Sequence, residues 1–545
     1  MKLSHYFFVG LLSISVVNAQ PAKKIPVVKL PGFKKDTVSV RKFNAVGDGN
    51  TLNTKFIQAA IQTLSKKGGG VVLVPEGVWL TGPITLESNI NLHLVNGATL
   101  LFTTDFDQYP LVEGNWEGLP QMRNQSPVSA KGATNIAITG KGIIDGNGDA
   151  WRMVKKDKLT TTQWKKLVAS GGMVSEDGNT WYPSEKTFKG SKIPNAGVIN
   201  PEKTPAYYDS IKDFLRPNLL VLEKCSKILL EGVTFQNSPA WCLHPLMSED
   251  ITVRDVKVFN PWFAQNGDGI DLESCKSVVI ENSIFDVGDD GICLKSGRDA
   301  EGRKRAMPTK DVIIRGCTVY SSHGGVVIGS EMSGGVNNIH VSNCTFIGAD
   351  IGLRFKTTRG RGGVVENIYI RDIYMKDIPG DAILFDMYYA AKDPIPLAGE
   401  KRALPVVEFK KLDESTPIFR NFQISNVYCA GAERAIFIRG LPEMRVTDIV
   451  LENMVLSANK GIDVQEAKGV VFRNIKLISK KTDPLIDIVQ SENLVFDNIT
   501  FGGDPELLFM VSGDRSGKIN ISKTDASKAK KKISFELGAT DKSIL

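Results

Sequence analysis

The chain has no apolar run long enough to cross a bilayer. The longest, Tyr6 to Val17, offers about 12 residues where a spanning helix needs about 20. Membrane insertion is therefore not expected. With Lys2 ahead of it and Val17-Asn18-Ala19 behind it, the run reads as a secretory signal over residues 1–19. The residue directly after Ala19 is Gln20 and not a cysteine, which argues against bacterial lipoprotein anchoring, so a soluble chain exported to a periplasm or beyond the cell is expected. Cysteine is scarce, and seven residues cannot all pair. There is no basic stripe interleaved with aromatics, so a nucleic-acid partner is not expected. The net charge of +7 is modest; it serves solubility and also suits a polyanion. The three-and-four spacing of amphipathic helical repeats is missing as well.

A strand pattern occurs in its place. Ten copies begin at residues 228, 251, 278, 312, 339, 368, 422, 449, 470 and 494, reading ILLEGVTF, ITVRDVKV, VVIENSIF and so on to LVFDNITF. Alternating apolar positions mark strands, and recurrence at a near-constant interval marks a solenoid. The fifth position of every copy holds Gly, Asp or Asn: Gly232, Asp255, Asn282, Gly316, Asn343, Asp372, Asn426, Asn453, Asn474 and Asn498. These residues tolerate a left-handed backbone at a sharp corner, and the mostly apolar sixth position then points inward. The pattern predicts a single-stranded, right-handed parallel β-helix, an all-β solenoid. Cys317 and Cys344 share the sixth column in successive coils, while Cys225 and Cys275 each lie three residues before a strand. A disulfide ladder is open to an exported protein, but buried thiols are expected.

One long domain, residues 36–515, follows a Pro- and Lys-containing leader at 20–35. An apolar-periodic segment from about Asn53 to Ser65 is expected to be a helix capping the open first coil, which would otherwise expose its interior and strand edges. Between 151 and 214 the repeat lapses into polar and aromatic sequence, either a lid or a small packed subdomain. A second lapse, Tyr389 to Pro417, follows one more coil turn at Ala382 to Met387. Residues 516–545, with Lys528, Lys530, Lys531 and Lys532, read as a solvated tail or end cap.

The segments after four successive strands align through their own alternation, placing Ile270, Ile292, Val326 and Leu353 in one inward column. Asp268 then lies beside Asp290, and His323 beside Asp289. Neighbouring strands are about 4.8 Å apart, so three carboxylates, an imidazole, Arg354 and Lys356 share one face. Carboxylates this close cannot all ionise freely, which supplies an acid and a base together. Glycosidic hydrolysis needs that pairing. Corner-forming Asp explains Asp255 and Asp372 well, and the paired Asp289-Asp290 poorly. Arg354 and Lys356, either side of inward Phe355, can grip a carboxylate. The alternative is a surface ion pair, for which Asp386 is aligned with Lys356.

These residues resemble glycoside hydrolase family 28, the polygalacturonase-like pectin hydrolases. Four motifs occur in order: Asn266-Gly267-Asp268, Gly288-Asp289-Asp290, Ser322-His323-Gly324 and Arg354-Phe355-Lys356. Gly267 stands where Thr is commonest, and Ser322 where Gly is usual. The resemblance implies Asp289 as general acid, Asp268 and Asp290 as holders and activators of water, and His323 as a hydrogen-bonding partner of this group. It also implies Arg354 and Lys356 as ligands of a uronate carboxylate, and inversion at the anomeric carbon. Tyr388 resembles the family's substrate-contacting Tyr, with Tyr389 an equal candidate. Asn266 reads as a turn-former orienting Asp268 and is counted among the substrate-side residues. His244 either lines the groove or bonds structurally. The basic loop Gly297 to Pro308 is expected to contact further uronates unless merely solvated.

The resulting expectation is an exported, monomeric hydrolase of α-1,4-galacturonan in pectin, needing no metal or other cofactor. End-acting cleavage is slightly preferred, because the 151–214 insertion could close one end of the groove. Internal cleavage and a rhamnogalacturonan-type hydrolase are the near alternatives. A Ca²⁺-dependent pectate lyase and a non-catalytic carbohydrate-binding solenoid are the more distant ones.

Overall fold

The computed structural model describes residues 26–389 and 409–545. The expected secretory signal at residues 1–19 and much of the second lapse lie outside them. Strands dominate and join one large sheet whose pairings are all parallel. The sheet winds as a right-handed β-helix with three walls, the hand that parallel crossovers favour.

The repeat accounts for two walls and the corner between them. Ser226–Glu231, Glu249–Arg254 and Lys276–Glu281 stack in the first wall, and Thr234–Gln236, Lys257–Phe259 and Ile284–Asp286 in the second. All ten fifth-position residues adopt positive φ, between 51° and 77°. Exposed Asn side chains also bond along the axis: Asn474 Nδ2 donates to Asn453 Oδ1 at 3.0 Å, and Asn498 Nδ2 to Asn474 Oδ1 at 2.9 Å. The third wall carries Ile270–Glu273, Asp290–Lys295, Gly324–Ile328, Leu353–Lys356 and the last part of the long strand Val364–Asp386. Its inward column pairs Ile270 with Ile292, Val326, Leu353, Ile383 and Ile436 in turn, all fully buried or nearly so. Each such side chain contributes about 1.5–3 kcal/mol.

The helix Thr54–Lys66 closes the first coil with Ile57, Ala60, Ile61 and Leu64. The other end extends beyond the expected boundary at 515. Gly517–Ser522 and Lys531–Glu536 pair in register with the preceding coils, so the C-terminal segment adds wall while its lysines stay exposed. Residues 151–214 form a packed subdomain rather than a bare loop. A three-stranded antiparallel sheet and the helices Thr161–Ala169, Glu185–Ser191 and Pro205–Asp209 enclose clusters around Trp164 with Trp181 and around Tyr208 with Leu215. All seven cysteines are buried free thiols. No helix among the described residues is long and apolar enough to cross a membrane.

Candidate active site

Asp268, Asp289, Asp290 and His323 stand where a coil turns from the second wall into the third, and Arg354 and Lys356 on the third-wall strand that follows. Register pairs Asp290 with Gly324 and Val327 with Arg354, so the predicted alignment holds residue by residue. Backbone bonds fix the stack: Gly269 N donates to the Asp290 carbonyl and His323 N to the Asp289 carbonyl, both at 2.9 Å. Gly267, unusual for its motif, follows from packing, because a Cβ there would sit 2.8 Å from the Ala264 Cβ and carbonyl. Ser322 is buried and donates to the Gly324 carbonyl at 3.0 Å, bracing the turn that presents His323.

Asp268, Asp289 and Asp290 each place a carboxylate oxygen within 4.8 Å of the others. Asp268 and Asp290 are buried and Asp289 is half-buried. Lys356 Nζ lies 2.7 Å from Asp290 Oδ2, and Arg354 Nη1 lies 3.2 Å from Oδ1. Burial alone would raise the Asp290 carboxyl, but the Lys356, Arg354 and Lys295 charges outweigh it and hold it well below the usual carboxylate range. Asp268 is driven the other way, by burial and then by the charges of Asp271 and Asp289, so it favours its protonated form. Asp289 Oδ1 accepts from Asp290 N at 3.0 Å and lies 3.2 Å from His323 Nδ1; Oδ2 accepts from Asn266 N at 3.3 Å. Its hydrogen bond to Asp289 raises the His323 imidazole against the effect of burial, and the Asp289, Asp290 and Asp350 charges add to this.

Sequence reasoning missed a second layer of charge. Lys295 is buried, 3.0 Å from Glu331, 3.6 Å from Asp271 and 4.9 Å from the centre of the Trp241 ring. Burial would raise Glu331, yet Lys295, Arg361 and Lys356 bring it down to about 2. Asp271 alternates outward in the aligned strand, and only the crowding around it distinguishes it from a surface acid. A hairpin, Leu111–Trp116 with Leu119–Asn124, roofs the third wall; Trp116 stacks on Trp241 at 4.9 Å, and Arg123 lies 4.0 Å over Trp116. Neither hairpin strand carries the repeat, so only its aromatic residue hinted at it.

The structure corrects the Tyr388 expectation and decides between the readings left open for the others. Tyr388 is buried in the central core, because the chain turns inward after Asp386; the Tyr389 ring instead lies 4.9 Å from Lys356 Nζ and 5.7 Å from the Arg354 guanidinium. Asp386 pairs with Arg439 at 2.8 Å rather than with Lys356. His244 is buried against Glu273 at 3.0 Å, a structural contact. The arginines of the basic loop are committed to the protein, while Lys304 is exposed: Arg298 pairs with Glu117 and Arg305 with Glu273, and Arg303 donates to the Gly360 carbonyl. Asn266, at φ 54°, gives its side-chain oxygen to Arg216.

Comparison with known proteins covers most of the chain. Residues 154–415 match the model for glycosyl hydrolases family 28, and residues 37–203 match one described as rhamnogalacturonase A/epimerase, pectate lyase-like. A probable polygalacturonase of Vitis vinifera is 30% identical over 458 residues, 82% of this chain and 80% of the relative. An exo-poly-alpha-D-galacturonosidase of Dickeya chrysanthemi is 27% identical over 485 residues, covering 86% and 72%. The crystal structure of a hyperthermoactive exopolygalacturonase from Thermotoga maritima superposes with a TM-score of 0.64 at 32% identity, covering 83% of this chain and 92% of that one. On the strength of the Vitis relative, the family match and the shared solenoid, this chain belongs to glycosyl hydrolases family 28 and is a glycoside hydrolase.

Proposed function

We propose that the protein hydrolyses α-1,4-linked galacturonan by acid/base catalysis with inversion. The observation that carries this reading is the trio of carboxylates within 4.8 Å, with Arg354 and Lys356 pinned to its edge. Asp289, bonded to His323, protonates the departing glycosidic oxygen. A water held between Asp268 and Asp290 attacks the anomeric carbon and gives up its proton to Asp290. In the free protein both cations rest on Asp290. A uronate carboxylate arriving at Arg354 and Lys356 draws them away and raises the basicity of Asp290 at the moment water must be activated. Inversion follows the family resemblance, since the carboxylates are closer than the usual spacing for a one-step displacement.

End-acting cleavage is the preferred mode. The hairpin roof is tied across the third wall, Gly118 accepting from Arg298 N at 3.2 Å, and this favours a groove closed on that side. The exo-acting Dickeya and Thermotoga relatives support the same reading. Digestion of polygalacturonate decides: monomer alone from the first minutes supports it, whereas an early ladder of oligomers sinks it. Loss of activity to a chelator, with unsaturated products absorbing in the ultraviolet, would replace hydrolysis by lyase chemistry. We further propose an exported monomer, which N-terminal sequencing (a start at Gln20) and light scattering would check.

A further inference from the structure

Arg216 lies where the 151–214 subdomain returns to the solenoid, and its guanidinium is buried, with the residue 7% exposed. No carboxylate among the described residues lies within 4.0 Å of it. It is spent on the catalytic loop instead: Nη1 donates to the carbonyls of Pro239 at 2.9 Å and Gln265 at 3.0 Å, and Nη2 to Asn266 Oδ1 at 2.8 Å. Its own carbonyl accepts from Arg123, the residue stacked on Trp116 of the hairpin. Arg216 therefore joins four segments: the subdomain exit, the turn before the third wall at Pro239, the loop leading to Asp268, and the roof. Asn266 is the pivot, because its side chain is held by Arg216 while its backbone N–H reaches Asp289 Oδ2. A left-handed residue has few rotational alternatives once both ends are engaged.

We propose that Arg216 is a positioning residue: acting through Asn266, it aims the carboxyl of Asp289 and fixes the entry of the strand that presents Asp268. This rests on the hydrolase reading above. The fork of a guanidinium is essential to the role, since two carbonyls and an amide oxygen must be met at once and a lysine ammonium cannot reproduce that geometry. Its positive charge adds a second effect. Asp268 and Asp289 feel it across the loop, as does Glu117. Asp290, Asp271, His323, Lys295 and Arg354 face the same acids from the adjoining coils, and Arg123 and Arg152 lie near Arg216 itself. A cation beside a carboxyl group favours its ionised form, so removal of the Arg216 charge helps the general acid keep its proton and moves the basic limb of the rate profile to higher pH.

The test uses Arg216→Lys, Arg216→Met and Asn266→Gly, with polygalacturonate as substrate. Asn266→Gly keeps the left-handed backbone and removes only the amide. A misplacement of this kind costs up to about 100-fold in rate, so a fall in kcat of about 10- to 100-fold is expected in all three, with KM within about twofold. Only Arg216→Met should shift the basic limb upward. The Arg216→Lys, Asn266→Gly double variant should be no slower than the worse single one, because both break the same link. If Arg216→Met does not fold, the other two variants and their combination still decide. An Asn266→Gly enzyme at the parent rate, additive losses, or a KM effect without a kcat effect overturns the assignment. A parent protein without hydrolase activity would instead refute the reading on which it rests.

Discussion

At the scale of single residues, one solvent-facing wall holds groups with opposite proton preferences, Asp290 kept ionised and Asp268 kept neutral. Asp289 completes the set, because it alone of the three is half-buried and bonded to His323. Asp289→Asn keeps the shape and removes the proton. Its kcat on polygalacturonate should fall by about 100- to 10,000-fold, while calorimetry finds oligogalacturonate binding retained; undiminished turnover would remove Asp289 as the acid. Lys295 answers for stability. Replacing it by Met takes from Asp271 its paired cation and leaves Glu331 paired with Arg361 at 3.6 Å, and loss of one partner from a buried pair costs about 3–5 kcal/mol, to be read from the shift in denaturation midpoint. Glu331 also sets a pH window: its carboxyl is held at about 2 in the folded state and near 4.3 when unfolded. Its contribution is therefore complete above the unfolded value and is lost as the pH falls toward about 2. Melting temperatures across acid pH should decline in the parent, and the Glu331→Gln variant should show a shallower decline.

At the scale of elements, the corner column was the part most legible in the sequence, because a left-handed corner restricts residue choice strongly and an inward strand position demands an apolar side chain. The register of the third wall was legible for the same reason. The roof hairpin and the 151–214 subdomain were not, since their folding depends on unique contacts such as Trp116 on Trp241 rather than on a repeated rule. Tyr388 shows the limit at one residue: the sequence gives no sign of where a strand stops alternating, and the inward turn after Asp386 exchanges it with Tyr389. The corner column itself can be tested. Asn474→Ala loses the axial hydrogen bonds to Asn453 and Asn498 and leaves at positive φ a side chain without the polar group that eases the left-handed conformation, where the penalty is about 1–2 kcal/mol. Asn474→Gly should recover the backbone share, leaving only the hydrogen-bond loss, and equal destabilisation by Ala and Gly would argue against a conformational cause.

At the scale of the whole molecule, a stack of coils needs its ends sealed, and the helix Thr54–Lys66 seals one of them. A chain started at Gly70 would expose the faces that Ile57, Ile61 and Leu64 now cover. It should leave the monomer fraction in size-exclusion chromatography and aggregate, while a soluble, active product would show that the first coil needs no seal. The reacting groups are drawn from four consecutive coils, between Asn266 and Lys356, and no one coil holds a complete set. During synthesis the cluster is therefore completed late: a chain that has wound no further than His323 holds Asp290 without the two cations that rest on it, and these arrive only with the coil that carries Arg354 and Lys356.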